Sequence, residues 1–166
     1  IFQDSYGYIW IGTSDGLSRH DGYVFTTYKF DETNPNSLGN NYVNDITEDA
    51  NGMLWIATNG GASRFDPSTE QFTRYQYDPE NENSLGGDKI VSVFADNIGN
   101  IWFGGLPPNG LSKLDADTGI ITRYAANEKG LINGAAWDMV EDEAGVLWMM
   151  FDTSLQKYDP ETDTFT

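Results

Sequence analysis

Cysteine is absent from the 166 residues. Its absence excludes disulfides, thiolate nucleophiles and cysteine-ligated zinc, and it fits either redox compartment. Basic residues are scarce: 9 Lys and Arg stand against 26 Asp and Glu, for a net charge of −17. Nucleic-acid binding needs a basic footprint, and anionic membrane surfaces attract clustered Lys and Arg. Neither partner fits this chain. The acidic surplus speaks to solubility more than to fold. Histidine occurs once, at His20. No stretch keeps a helical period, and no signal or membrane-spanning segment is visible. The chain opens on Ile1 without an initiator Met, so a piece of a longer protein is expected and the missing leader carries no weight.

What the chain has, it has four times. Asp-x-x-Gly, then an aliphatic residue and Trp, recurs at Asp4-Gly7-Trp10, Asp49-Gly52-Trp55, Asp96-Gly99-Trp102 and Asp142-Gly145-Trp148. The Trp-to-Trp spacings are 45, 47 and 46 residues. Such a period marks a stack or ring of small similar units. The approximate repeats are 1–42, 43–89, 90–135 and 136–166 of one continuous segment.

The second copy shows the plan. Ile46 to Asp49 is β-compatible, and Asp49-Ala50-Asn51-Gly52 has Asp first and Gly fourth, as a type I turn requires. Met53 to Thr58 reads as a strand centred on Trp55, and Asn59-Gly60-Gly61 turns the chain. Ala62 to Phe65 and the aromatic, β-branched Gln71 to Tyr77 complete four strands, with Asp66-Pro67-Ser68-Thr69 between them. Four short strands per unit predict an all-β β-propeller fragment of about four blades, each a four-stranded antiparallel sheet. Propellers close with four to eight blades. Open sheet edges would then invite self-association, as two facing half-rings, or a continuing propeller.

The pattern resembles the two-component regulator propeller repeat. The resemblance rests on the Asp4–Thr13 core, on Gly16-Leu17-Ser18-Arg19, and on Asn36-Ser37-Leu38 with Asn83-Ser84-Leu85. The fourth copy departs, with Met149-Met150-Phe151 after Trp148. The resemblance implies the extracytoplasmic sensor region of a bacterial hybrid histidine kinase or related signalling protein. It implies a periplasmic or extracellular location and a module that is not itself an enzyme, although the parent protein could carry a kinase or cyclase output domain.

The repeated residues read as scaffold. Asp4, Asp49, Asp96 and Asp142 lack the spacing of a calcium loop, and each precedes its own turn Gly. Trp10, Trp55, Trp102 and Trp148 share one register, as inter-blade core residues would. His20 aligns with Phe65, Leu114 and Tyr158, and no Gly-x-Ser-x-Gly elbow supplies a nucleophile. Propeller lyases have a similar repeat texture but use more than one histidine with a metal. Among 26 acids a glycosidase-like pair could arise, yet nothing singles one out. No cofactor and no metal are expected.

Function is therefore sought where the copies differ. The loop Gly105-Leu106-Pro107-Pro108-Asn109-Gly110 is longer than its equivalents, and the linker after Tyr124 is shorter. Trp137 stands where Asn44 and Val91 stand, and Met150 and Phe151 replace small residues and Thr. In a propeller these positions share one end, near the third and fourth blades. Loops on a rigid scaffold are where binding resides. Trp137, Met150, Phe151, Asp152, Pro107, Pro108 and Asn109 are thus the candidate ligand site, unless Trp137 and Phe151 merely fill space beside the short linker. The candidate partners are a small molecule or glycan, or another receptor segment. A propeller lyase or glycosidase and a purely structural module are the alternatives.

Overall fold

A computed structural model describes residues 1–107 and 110–166 of the chain. Pro108 and Asn109 lie outside the described residues. The described strands form four sheets of four antiparallel strands, each in simple sequential order. The first sheet holds β1 (Phe2–Gln3), β2 (Ile9–Thr13), β3 (Gly16–His20) and β4 (Phe25–Tyr28). The second holds β5 (Val43–Glu48), β6 (Leu54–Thr58), β7 (Gly61–Asp66) and β8 (Gln71–Tyr75). The third holds β9 (Ile90–Ala95), β10 (Ile101–Gly105), β11 (Leu111–Leu114) and β12 (Ile121–Tyr124). The fourth holds β13 (Asp138–Glu141), β14 (Leu147–Met150), β15 (Leu155–Asp159) and β16 (Thr164–Phe165). These are the propeller blades that the repeat predicts, with strand ends displaced by a few residues.

The Asp-x-x-Gly tetrad does more than turn the chain. The Gly52 N–H donates to the Asp49 carbonyl at 2.9 Å, and Gly52 sits at φ +76°, where a side chain would be strained. Asp49 Oδ1 accepts the Asn51 and Met53 N–H groups at 2.8 and 3.1 Å. Its Oδ2 accepts the Trp55 indole at 2.8 Å. The same carboxylate–indole bond recurs at 2.7 Å for Asp4–Trp10 and 2.9 Å for both Asp96–Trp102 and Asp142–Trp148. Turn and core are thus tied by one side chain, which explains why both residues recur together.

Neighbouring sheets stack face to face through three apolar cores. Trp10, Leu17, Ile46 and Phe65 belong to the first, Trp55, Leu85, Val93 and Phe103 to the second, and Trp102, Leu131, Met149 and Phe165 to the third. Each core is keyed by a Trp against the last-strand Tyr of its own sheet: Trp10–Tyr28, Trp55–Tyr75 and Trp102–Tyr124, at 5.8, 5.2 and 6.0 Å between rings. The first and fourth sheets share none of these cores, so the described residues make an open arc. Trp148 therefore differs from the other three. It faces the uncovered side of the fourth sheet and is only partly buried, which corrects the expectation of four equivalent core tryptophans. The uncovered surface is also a sheet face, not a sheet edge, because blades stack by their faces.

The linkers between blades are held by arginine. Arg74, on β8, donates to the carbonyls of Asp31, Asn34 and Ser37 and to Ser37 Oγ. Arg123, on β12, repeats this with Asp78, Asn81 and Ser84. A planar fork with several N–H donors suits a ring of carbonyls, which a lysine could not match. The following Leu38, Leu85 and Leu131 are buried. Ser63 and Ser112 accept the N–H groups of Gly39 and Gly86, each at 3.0 Å, and Gln156 Oε1 accepts that of Ile132. The longer glutamine does for the short third linker what serine does for the others.

Candidate functional site

Antiparallel order puts the second-to-third loops and the blade linkers at one end of every sheet, and the two other turns at the opposite end. Trp137 lies at the first end, just before β13, with 48% of its surface exposed. Its indole donates to Asp152 Oδ1 at 2.6 Å. Asp152 Oδ2 accepts the Ala135 N–H at 3.1 Å. These bonds, the indole's first, hold the exposed Asp152 carboxyl below the ordinary carboxylate value. The structure thus pairs two of the candidate residues directly.

Met150 is likewise 48% exposed. It lies on the uncovered face of the fourth sheet with Val140, Trp148 and Leu155, while Met139, Leu147 and Met149 face the third sheet. Val140 and Leu155 escaped the repeat comparison, although the alternation of their strands could have found them. Pro107 is exposed in the loop that the Gly105 N–H closes onto the Gly110 carbonyl at 2.8 Å. Pro108 and Asn109, the rest of that candidate loop, are not among the described residues.

Phe151 must be removed from the candidate site. It is 3% exposed and belongs to the core between the third and fourth sheets. Its N–H donates to the Ser154 carbonyl, so the chain turns there and carries the ring inward. Phe151 is packing at the short linker, whereas Trp137 beside it is not.

Met150 also has a steric meaning. The equivalent positions in the first and third sheets are Gly12 and Gly104. A Cβ on Gly12 would come within 2.4 Å of Val43 Cγ1, and one on Gly104 within 2.3 Å of the Ala136 carbonyl oxygen. The next blade presses against this spot at both junctions. The middle junction carries Ala57 at this position, fully buried, so the Met150 side chain is bulkier than any residue the other three blades place there.

The other candidate chemistry is structural. His20 ends β3 and accepts the Gly22 N–H through Nδ1 at 3.3 Å, its ring tilted 41° against Phe25 at 4.4 Å. Asp45, on the innermost strand of the second sheet, accepts the Val93 and Ile46 N–H groups at 3.0 and 2.8 Å. Burial raises its carboxyl above the ordinary value, and the charge of Asp138 adds to this. Ser92 takes the same place in the third sheet and donates to the Ala136 carbonyl at 2.6 Å. These side chains are struts between inner strands. Among the described residues, no group of three or more His, Cys, Asp or Glu stands where it could hold a metal ion.

Comparison with known proteins agrees with this architecture. Residues 1–15 and 37–60 match the family described as Two component regulator propeller. No curated protein matches the chain. One solved structure, described as the extracellular domain of a hybrid two component system from B. thetaiotaomicron, is 26% identical with a TM-score of 0.86 over 100% of this chain. A second domain of that description from the same organism is 25% identical with a TM-score of 0.78 over 99% of the chain. This chain spans 24% of the length of each. Virginiamycin B lyase from Staphylococcus aureus, 13% identical with a TM-score of 0.73, covers 99% of the chain, which spans 53% of it; that likeness is one of fold. The four Asp–Trp units, their sheets and these matches together show a β-propeller fragment similar to the extracellular domains of hybrid two component systems, with the two component regulator propeller pattern matched in its first and second repeats.

Proposed function

We propose that this chain is part of the extracellular sensor region of a bacterial two-component receptor, and that it binds rather than catalyses. The observation that carries the reading is the likeness over the full chain to an extracellular domain of a hybrid two component system, at 26% identity. It also puts the chain on the periplasmic or extracellular side of the membrane. Binding falls to the non-repeating end of the third and fourth blades, where Pro107 of the third and Trp137, Asp152 and Met150 of the fourth are exposed. An aromatic ring and a thioether give an adaptable apolar surface, and the fixed Asp152 carboxylate adds a polar anchor. The occupant is a small molecule, a glycan or another receptor segment, and its binding would shift the arrangement of a receptor dimer.

The test is a thermal-stability screen of the 166-residue chain against glycans, since a ligand of the folded state raises its melting temperature. A hit should change tryptophan fluorescence in the parent chain. Trp137→Ala should abolish both responses and leave the fold intact. A hit that still stabilises Trp137→Ala would place binding elsewhere. Turnover of a screened glycan would favour the enzyme reading, for which the lyase likeness supplies the fold alone.

A further inference from the structure

The three blade junctions are built alike at the end opposite Trp137, except for one. At the first junction, Arg19 Nη1 meets Glu70 of the next blade at 2.9 Å, and the Tyr28 hydroxyl donates to the same carboxylate at 3.3 Å. At the third junction, Asp163 stands at Glu70's position. Its Oδ1 accepts the Tyr124 and Tyr158 hydroxyls at 2.7 and 2.8 Å, and Lys129 pairs with its other oxygen. Both acids sit at positive φ, +54° for Glu70 and +53° for Asp163. At both of these junctions one carboxylate thus answers the last-strand tyrosine of the preceding blade and a cation, and Asp163 takes Tyr158 as well.

At the middle junction the acid is missing. Gly119 occupies its position with nearly the same backbone, at φ +68°. The groups that the acid would serve are present: Arg64 aligns with Arg19, and Tyr75 with Tyr28 and Tyr124. Among the described residues, neither the Arg64 guanidinium nor the Tyr75 hydroxyl has a hydrogen-bond or ion-pair partner; Arg64 lies 6.0 Å over the Trp55 ring. Other bulk is lost at the same place. Leu114 and Ala116 stand where Phe65 and Pro67, or Tyr158 and Pro160, stand elsewhere. Ala95 replaces Glu48 and Glu141, which accept backbone N–H groups across the other two junctions, from Ser5 at 2.7 Å and Asn97 at 2.8 Å. The result is a cleft of about 530 Å³ bordered by Arg64, Tyr75, Trp55, Ile101, Leu114 and Gly119.

We propose that this cleft binds a small carboxylate ligand, whose carboxylate takes the position that Glu70 and Asp163 fill at the neighbouring junctions. Arg64 supplies the charge and the Tyr75 hydroxyl a second donor. Trp55, Ile101 and Leu114 form an apolar wall for the body of the ligand, so a ring or short hydrocarbon carrying one carboxylate fits best. Asp49 and Asp115 also border the cleft, and both are committed to their own turns. Their negative charge disfavours a dianion. The site lies at the opposite end of the blades from Trp137 and is independent of the binding surface proposed above.

Benzoate is the probe, with benzyl alcohol as its neutral counterpart and sulfate as a generic anion. Titration of the 166-residue chain by heteronuclear NMR should give saturable shifts centred on Trp55, Gly99 and Leu114 with benzoate, and none with benzyl alcohol. Arg64→Gln should weaken benzoate binding about tenfold or more, as expected on losing a charge-assisted hydrogen bond. Gly119→Glu restores the sibling carboxylate. A Cβ there meets nothing within 4 Å, and Glu70 and Asp163 already take the same left-handed backbone, so this variant should fold and lose benzoate binding. Trp137→Ala should bind benzoate unchanged, which separates this site from the other. Absence of saturable shifts in the folded parent chain would overturn the proposal, as would benzoate binding that both variants retain. Sulfate binding as tight as benzoate binding would reassign the cleft to anions in general. Loss of self-association in Arg64→Gln, without benzoate binding by the parent, would give the carboxylate to a side chain of a second copy.

Discussion

The carboxylate of Asp49 accepts the indole of Trp55 at 2.8 Å while also accepting two backbone N–H groups of its own turn. Asp49→Ala therefore removes the acceptor of a core tryptophan as well as a turn residue. Leaving such a donor unpaired costs about 1–3 kcal/mol, and the loss should appear as a lower urea midpoint with an unchanged m-value. Trp55→Ala opens a cavity between blades and should cost about 3–5 kcal/mol. Trp148→Ala, on the uncovered face, should cost clearly less. Equal losses for Trp55→Ala and Trp148→Ala would contradict the open-arc arrangement.

Arg123 gathers the linker between the second and third blades through three carbonyls and a serine hydroxyl. Arg123→Lys keeps the charge but not the fork, so it should recover little of what Arg123→Ala loses, about 2–3 kcal/mol for hydrogen bonds to a charged donor. Hydrogen exchange should localise the loss to residues 78–85. Full rescue by lysine would mean that charge alone holds the linker.

Acid should destabilise the chain in a defined window. Asp66, Asp115 and Asp159 are held below the ordinary value of 3.8 mainly by hydrogen bonds within their turns, and Asp142 by the Trp148 indole first and its turn second. A depressed carboxyl stabilises the fold above its unfolded value and loses that contribution as pH falls through the folded one. The melting temperature should therefore fall as pH drops below 3.8. Asp45, whose value is raised by burial, works in the opposite direction above that range. Protonation also relieves the repulsion of a chain with net charge −17, so a modest gain should precede the collapse. A melting temperature that keeps rising below 3.8 would show the turn bonds to be unimportant.

The open face of the fourth sheet, with Val140, Met150 and Leu155 exposed, should drive self-association of the 166-residue chain, since contiguous exposed apolar patches mark interaction surfaces. Light scattering should show a concentration-dependent increase in mass. The paired substitution Val140→Lys and Leu155→Lys should abolish it without lowering the melting temperature. A parent chain that stays monomeric at high concentration would contradict this.

The sequence by itself determined the repeat, the four-stranded plan of each unit, the turn at each Asp-x-x-Gly and the core role of Trp10, Trp55 and Trp102. All of these are local patterns, set by side-chain alternation and turn chemistry within a few residues, and repetition made each one legible four times. Tertiary structure alone decided what depends on a neighbouring blade. Trp148 repeats the motif and yet is only partly buried, because full burial of that position comes from the next sheet. Phe151 and Trp137 looked equivalent as departures from the repeat, but the turn at Ser154 carries one ring into the core and leaves the other in solvent. The vacancy beside Arg64 was invisible for the same reason. Gly119 reads as an ordinary turn glycine until stacking sets it opposite an arginine and a tyrosine from another blade, where the sibling junctions keep a carboxylate.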